Sequence, residues 1–430
     1  MFKTIFLQLR KSIWLVPSFY SVIAFIISII VLYMDIFLAE KIKLLFPEFI
    51  FPSHDLAKTL LSTIAGSLLT MTTITFSTVM VVLTTYSSQF SPRTLQNFIR
   101  DRVSMRVLGI FLGGFVYSIF SLFFMSEKAI ADPIISTLAG VLIAFICIAF
   151  FAYFIHHVAT SIQVSELIQA LTDGVIETTH KKHKKITDNK NISVITVKPV
   201  IPSGYDKQTH ISADNYGYIQ TFDMDHLYHL AQTEDVVIEV KYPIGQFVSA
   251  KNVVFTINYK EKEPNLSVLE TVMLGTEKSM EQDIVFSIQK IVEVALRAIS
   301  PGYNDPNTAI DCIRHIGVSI SESAKLHGTY IVYYDHEDKV RLTIPKISFE
   351  DILYHSFYQI CHYGKDDISV MFAVYDALIE IAIDGTTHIK EAVFQFGEYV
   401  YNKINHSNLH RLDEKRLNKK KERLKDLLEK

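Results

Sequence analysis

Four long apolar stretches at the start of the chain decide what it can become. A helix rises 1.5 Å per residue and the hydrocarbon core of a bilayer is about 30 Å thick, so a span needs about 20 apolar residues. Stretches 12–34, 59–89, 107–125 and 134–155 meet that requirement, bounded by Lys11, Asp35, Arg93, Arg106, Glu127 and Asp132. No small-residue cleavage site follows the first, which reads as a retained signal anchor. Lysine and arginine cluster in the N-terminus (Lys3, Arg10, Lys11), between spans two and three (Arg93, Arg100, Arg102, Arg106) and after span four (Lys181, Lys182, Lys184, Lys185). Four spans put all three clusters on one side. The expected topology is therefore a multi-pass protein of the bacterial cytoplasmic (inner) membrane with both termini cytoplasmic.

The remainder is too polar to span again, and the 20% charged residues of the whole chain lie mostly there. The segment 161–190 continues helically, with Val164, Leu167, Ile168, Leu171 and Val175 at helical spacing, and reads as a stalk. Between 191 and 262 lie short β-branched runs such as "ISVITVKPVI" and "DVVIEVKYPIGQFV", broken by Gly, Pro, Asn and Asp, with one helix, "DMDHLYHLAQ". A small β-barrel or sandwich is expected. From 263 to 430 the pattern is mainly helical, with a β-hairpin at "YIVYYDHEDKVRLTIP" and two or three further helices leading to a basic tail. The expected fold is an α-helical membrane domain, residues 1–160, followed by a cytoplasmic α+β region.

Candidate chemistry is sparse. The three cysteines, Cys147, Cys312 and Cys361, form no CxxC pair, which points to a reducing compartment and away from a thiol-held metal. His226 and His229 have the best metal-like spacing, beside Asp225, but lack a third ligand, so no metal or other cofactor is expected. "YPIGQFVSAKNVVFTI" is similar in shape to the hairpins of lipoyl and biotin carriers without their lysine turn. There is no nucleophile elbow, P-loop, dinucleotide fingerprint or HExxH, and an enzyme is not expected. The formal charge of −3 gives no reason to expect a nucleic-acid partner. In "PGYNDP", Asn304 and Asp305 read as a helix cap that could double as an anion site, with Gly302 ending the helix before it.

The second span is unusual for its hydroxyls. Between Thr59 and Tyr86, 12 of 28 residues are Ser or Thr. On a heptad, Thr59, Thr63, Gly66, Thr70, Thr73, Ser77, Met80 and Thr84 form one stripe containing six of them. Two readings compete. The hydroxyls bond back to carbonyls one turn earlier or across to a neighbouring helix, with Gly109 and Gly113 of span three as a complementary small surface. Alternatively, copies of span two surround an axis and Thr63, Gly66, Thr70, Thr73, Ser77 and Thr84 line a hydrated path for a small ion. No span contains a buried charge by this reading, which argues against a proton-coupled carrier. The positive expectation is a homo-oligomeric, channel-like protein with cytoplasmic regulatory domains. The alternative is a non-conducting sensor or scaffold coupling membrane state to a cytoplasmic partner.

The blocks "STIAGSLLTMTTITFSTVMVVLTTYSSQFSPRTLQNFIRDR", "VLGIFLGGFVYSIF" and "EQDIVFSIQKIVEVALRAISPGYNDPNTAIDCI" occur in that order. With them the chain resembles a bacterial family of predicted multi-pass membrane proteins catalogued as a domain of unknown function. The resemblance covers most of the chain, although the family pattern has an arginine where Lys278 stands. It implies a membrane-plus-cytoplasmic architecture and no established activity.

Overall fold

The computed structural model describes residues 15–43, 52–89, 102–125, 134–161, 163–278 and 283–429. It divides into two compact units, Met1–Glu166 and Leu167–Lys430. In the first unit four helices are long and apolar enough to cross a membrane: α1 (Leu15–Lys43), α2 (His54–Gln89), α3 (Arg102–Phe124) and α4 (Ile134–Ser161). The loops carrying Lys128, Arg93 and Arg100 lie outside the described residues.

Small residues set the helix spacing in this unit. A Cβ on Gly140 would come 2.5 Å from Leu61 Cδ2, and one on Gly114 would come 2.8 Å from Leu68 Cδ1. These contacts seat α2 against α4 and α3 through its buried face, Ala57, Leu61, Ala65, Leu68 and Val82. Gly109 and Gly113 do not offer a surface to the hydroxyl stripe. They pack on α1, where Tyr20 and Ala24 take the space. One further expectation is corrected. Asp35 lies inside α1 and is buried, so a span does hold a buried charge. The N-terminus of α4 satisfies it, because Ile135 N–H donates to its Oδ1 at 2.7 Å and Ser136 N–H to its Oδ2 at 3.0 Å.

The second unit begins within α5 (Val164–Asp188), whose face Leu167, Ile168, Leu171 and Val175 is buried. Two sheets follow. Six strands pair in the order β1 (Ile192–Ile195), β8 (Tyr330–Tyr334), β9 (Val340–Pro345), β4 (Val237–Val240), β6 (Val253–Tyr259), β2 (Lys207–Ser212). All of these pairs are antiparallel except β4 with β9. The late hairpin β8–β9 thus sits between strands from much earlier in the chain. The second sheet is β5 (Phe247–Val248), β3 (Gly217–Phe222), β7 (Val272–Gly275). Ile219, Phe222, Phe255, Ile257 and Leu342 belong to a common core joining both sheets to α6 (Met224–Thr233).

A helical layer completes the unit: α7 (Ile284–Ala298), α8 (Pro306–Ala324), α9 (Phe349–Tyr363), α10 (Ile368–Ile383), α11 (Thr387–Lys403) and the basic α12 (Arg411–Glu429). The almost wholly apolar α10 is buried, with Val374, Tyr375 and Leu378 fully enclosed. Gly317 lets α8 approach it closely: a Cβ there would lie 2.9 Å from Ala377 Cβ and 3.0 Å from its Cα.

Candidate functional site

The residues of the hydroxyl stripe share one fate. Thr63, Gly66, Thr70, Thr73, Ser77 and Thr84 are all exposed, on the side of α2 away from its buried face. A Cβ at Gly66 would meet nothing within 4 Å. The threonine hydroxyls donate to carbonyls four residues earlier: Thr63 to Thr59 at 2.8 Å, Thr70 to Gly66 at 3.0 Å, Thr73 to Leu69 at 3.0 Å and Thr84 to Met80 at 2.9 Å. The polar hydrogens are therefore satisfied within the helix, and the oxygen lone pairs are left on its outer surface. Such a face tolerates apolar surroundings and can also accept hydrogen bonds or meet a cation. The bonds back to carbonyls one turn earlier are thus present for these threonines, whereas Gly109 and Gly113 lie against α1 and not against the stripe.

Asn304 and Asp305 form the cap that their order suggests. Asp305 Oδ1 accepts from Thr308 N–H at 3.2 Å and its Oδ2 from the Thr308 hydroxyl at 2.6 Å, with Pro306 at the first helical position. These bonds hold the Asp305 carboxyl below the ordinary carboxylate range. The N-terminus of α8 thus carries the chain's own anion. Gly302 is not the residue that turns the loop. The left-handed position is Asn304, with φ 49°, and asparagine is one of the few side chains that accept it.

The histidines stay apart. His226 and His229 are exposed on α6, and Asp225 pairs with Lys185 at 2.7 Å. Among the described residues no group of three His, Cys, Asp or Glu gathers to hold a metal.

A cavity of about 160 Å³ lies within the second unit, walled by Ile186 of α5, Ile331 of β8, Ile344 of β9 and Phe349 of α9. Lys182, Lys346, His327 and Asp283 also line it. Burial pushes the Lys346 ammonium down to about 8, helped by the charge of Lys182, and its Nζ donates to the Leu326 carbonyl. Burial likewise lowers Lys182, opposed by the charge of Asp283. Asp283 is 4% exposed and caps α7, its Oδ1 accepting from Phe286 N–H at 3.0 Å. Its Oδ2 finds no hydrogen-bond partner among the described residues, and burial raises its carboxyl above the ordinary range. Gly245, at φ +87°, makes the room: a Cβ there would lie 2.1 Å from Asp283 Oδ2. So the carrier-like "YPIGQFV" turn serves to seat a buried carboxylate. The trace of this site in the sequence is an aspartate at the start of the amphipathic helix pattern "DIVFSIQKIVEVALRAIS"; the long-range partners leave none.

The chain is 28% identical over 339 residues to the uncharacterized protein Rv1290c of Mycobacterium tuberculosis and, to the same extent, to the uncharacterized protein Mb1321c of Mycobacterium bovis. The matched region is 76% of this chain and 64% of each relative, so the chain spans under two thirds of their length. No solved structure matches. The family described as "Predicted membrane protein (DUF2254)" matches residues 10–380, and the chain belongs to that family of membrane proteins of unknown function.

Proposed function

We propose that the protein is a homo-oligomeric, channel-like membrane protein in which copies of α2 stand around an axis and their hydroxyl stripes line a path for a small cation. The observation that carries this reading is the outward-facing stripe with its threonine hydroxyl hydrogens turned back to the helix's own carbonyls. A ring of such threonine oxygens presents acceptors to the axis, which suits a cation better than an anion. No formal charge is needed, so assembly avoids the cost of burying one. In this reading the second unit is cytoplasmic and regulates the path, in the inner membrane of a bacterial cell. The cavity beside Lys346 favours one alternative, a non-conducting sensor whose second unit reads a ligand.

The test is conductance of the purified protein in planar bilayers. A cation-selective current is expected, abolished by Thr70→Leu or Ser77→Leu in protein that remains folded and assembled, because leucine dewets the path. Silent bilayers containing assembled wild-type protein would favour the sensor.

A further inference from the structure

We propose that the outer face of α12 is a docking surface for anionic phospholipid headgroups of the bilayer that holds the chain, with Lys415, Arg416, Lys419 and Arg423 as the contacting cations. This inference does not depend on whether α2 forms a conducting path.

The two sides of α12 are sorted by charge. The helix carries eight basic and five acidic side chains. Its inner side is anchored: Leu417 and Leu424 are buried, and a Cβ on Gly397 of α11 would lie 2.6 Å from Leu424 Cδ2. The lysines bordering that side already have counter-charges. Lys420 pairs with Asp376 of α10, and Lys421 pairs with Glu398 of α11 at 2.9 Å and lies 4.1 Å from the centre of the Tyr401 ring. On the opposite side Lys415, Arg416, Lys419 and Arg423 share one arc of about 100° at helical spacing, and all four are exposed. Among the described residues none of the four is paired with a carboxylate. Asp413 and Glu414 lie well away from the arc, Glu422 borders it, and Asp426 ends it.

Signs that alternate along a helix mark a solvated face. Here the cations instead run together for about 12 Å, from Lys415 to Arg423, in a chain whose net charge is −3. Such a cluster of lysine and arginine on a helix is what anionic headgroups attract. Leu412, 64% exposed at the head of the same arc, supplies an apolar side chain that can enter the boundary between headgroups and acyl chains. The apolar helices of the first unit hold the chain in a bilayer, so headgroups are the anions at the highest effective concentration around α12. A nucleic acid fits less well, since α12 has no aromatic side chain on which a base could stack.

The experiment is timed acetylation of lysines in the full-length protein in lipid nanodiscs, read residue by residue by mass spectrometry. One set of discs is phosphatidylcholine alone, and the other is an equal mixture with phosphatidylglycerol. Lys415 and Lys419 should react about threefold or more slowly in the mixed discs, while the exposed Lys251 and Lys365 change little. The protection should vanish on raising the salt to about 0.5 M, because screening removes the attraction. Arg416→Gln combined with Arg423→Gln should release both lysines, and thermal melts show whether that variant is folded. Equal rates in the two kinds of disc would overturn the proposal, fast ones leaving a solvated face and slow ones a protein partner. So would protection that survives high salt or persists in the folded double variant. An equal slowing of Lys251 and Lys365 would overturn it as well, since the effect would then belong to the disc and not to α12.

Discussion

Asp35 and Ile135 are joined across the first unit by a 2.7 Å hydrogen bond in which the second residue of α4 donates to a carboxylate on α1. Ser136 N–H donates to the other oxygen at 3.0 Å. A helix N-terminus leaves such N–H groups without intrahelical partners, and its dipole favours a negative charge. The buried carboxylate and the unpaired N–H groups of the helix end therefore solve each other's problem. Asp35→Leu should destabilise the membrane unit by about 2 kcal/mol, since it removes two bonds to a charged acceptor and leaves the donors buried. Asp35→Asn keeps one acceptor and should cost about half as much. Thermal melts in detergent check both; unchanged melting of Asp35→Leu would show that the contact contributes nothing.

The Asp305 cap makes a prediction in pH as well as in sequence. Asp305→Asn should be nearly silent at neutral pH, whereas Asp305→Ala should cost about 1 kcal/mol. The folded carboxyl lies below its ordinary value of 3.8, so the charged form is favoured in the folded state. Its contribution is present above that value and is lost as pH falls through the folded one. Asp305 is exposed, and the effect is correspondingly small. A melt series from pH 7 to pH 3 should show a shallower loss for Asp305→Asn than for wild type. If the carboxylate instead served a bound cation, Asn would be as harmful as Ala to function with no change in melting.

Gly317 is held at its size by Ala377. In an exposed helix, Gly→Ala would gain about 1 kcal/mol. Here the new methyl would meet the Ala377 backbone at 3.0 Å, which cannot swing aside as a side chain can. Gly317→Ala should therefore be destabilising, by about 1–3 kcal/mol. Ala377→Gly in the same chain should recover part of the loss, and denaturant titration of the four variants of the cycle measures the coupling.

The four membrane helices were readable because a span must be long, apolar and bounded by charge, all of which are local properties. The helices run past the apolar stretches, by nine residues at the end of α1, since a helix continues into polar sequence once its ends find partners, as α1 does past Asp35. The cap at Asp305 was readable for the same reason: its partner is three residues away. The cavity was not. Lys182, Asp283 and Lys346 are far apart in the chain, and only the pairing of β8 and β9 with earlier strands brings them together. The glycines of α3 show the limit in small: sequence marks Gly109 and Gly113 as close-contact positions but not that α1 is the neighbour.

Orientation is tested from outside the cell. A single cysteine at Lys128 should react with an impermeant thiol reagent added to intact cells, and one at Gln96 should not, given the lysine and arginine asymmetry of the two loops. Labelling of Gln96→Cys from outside would reverse the assignment of the second unit to the cytoplasm.

The most direct measurement of the proposed assembly is a cysteine scan along α2 in native membranes, read with small charged thiol reagents and with intersubunit cross-linking. Cysteines replacing Thr63, Thr70, Ser77 and Thr84 should react and cross-link at a period of about 3.5 residues, the repeat of a helix facing an axis of copies. Cysteines replacing Leu69, Ile74 and Val81 are expected to stay protected. Stripe cysteines that neither react nor cross-link, in protein shown to be folded and inserted, would contradict a hydrated path and leave the hydroxyls as self-satisfied groups on a lipid-facing helix.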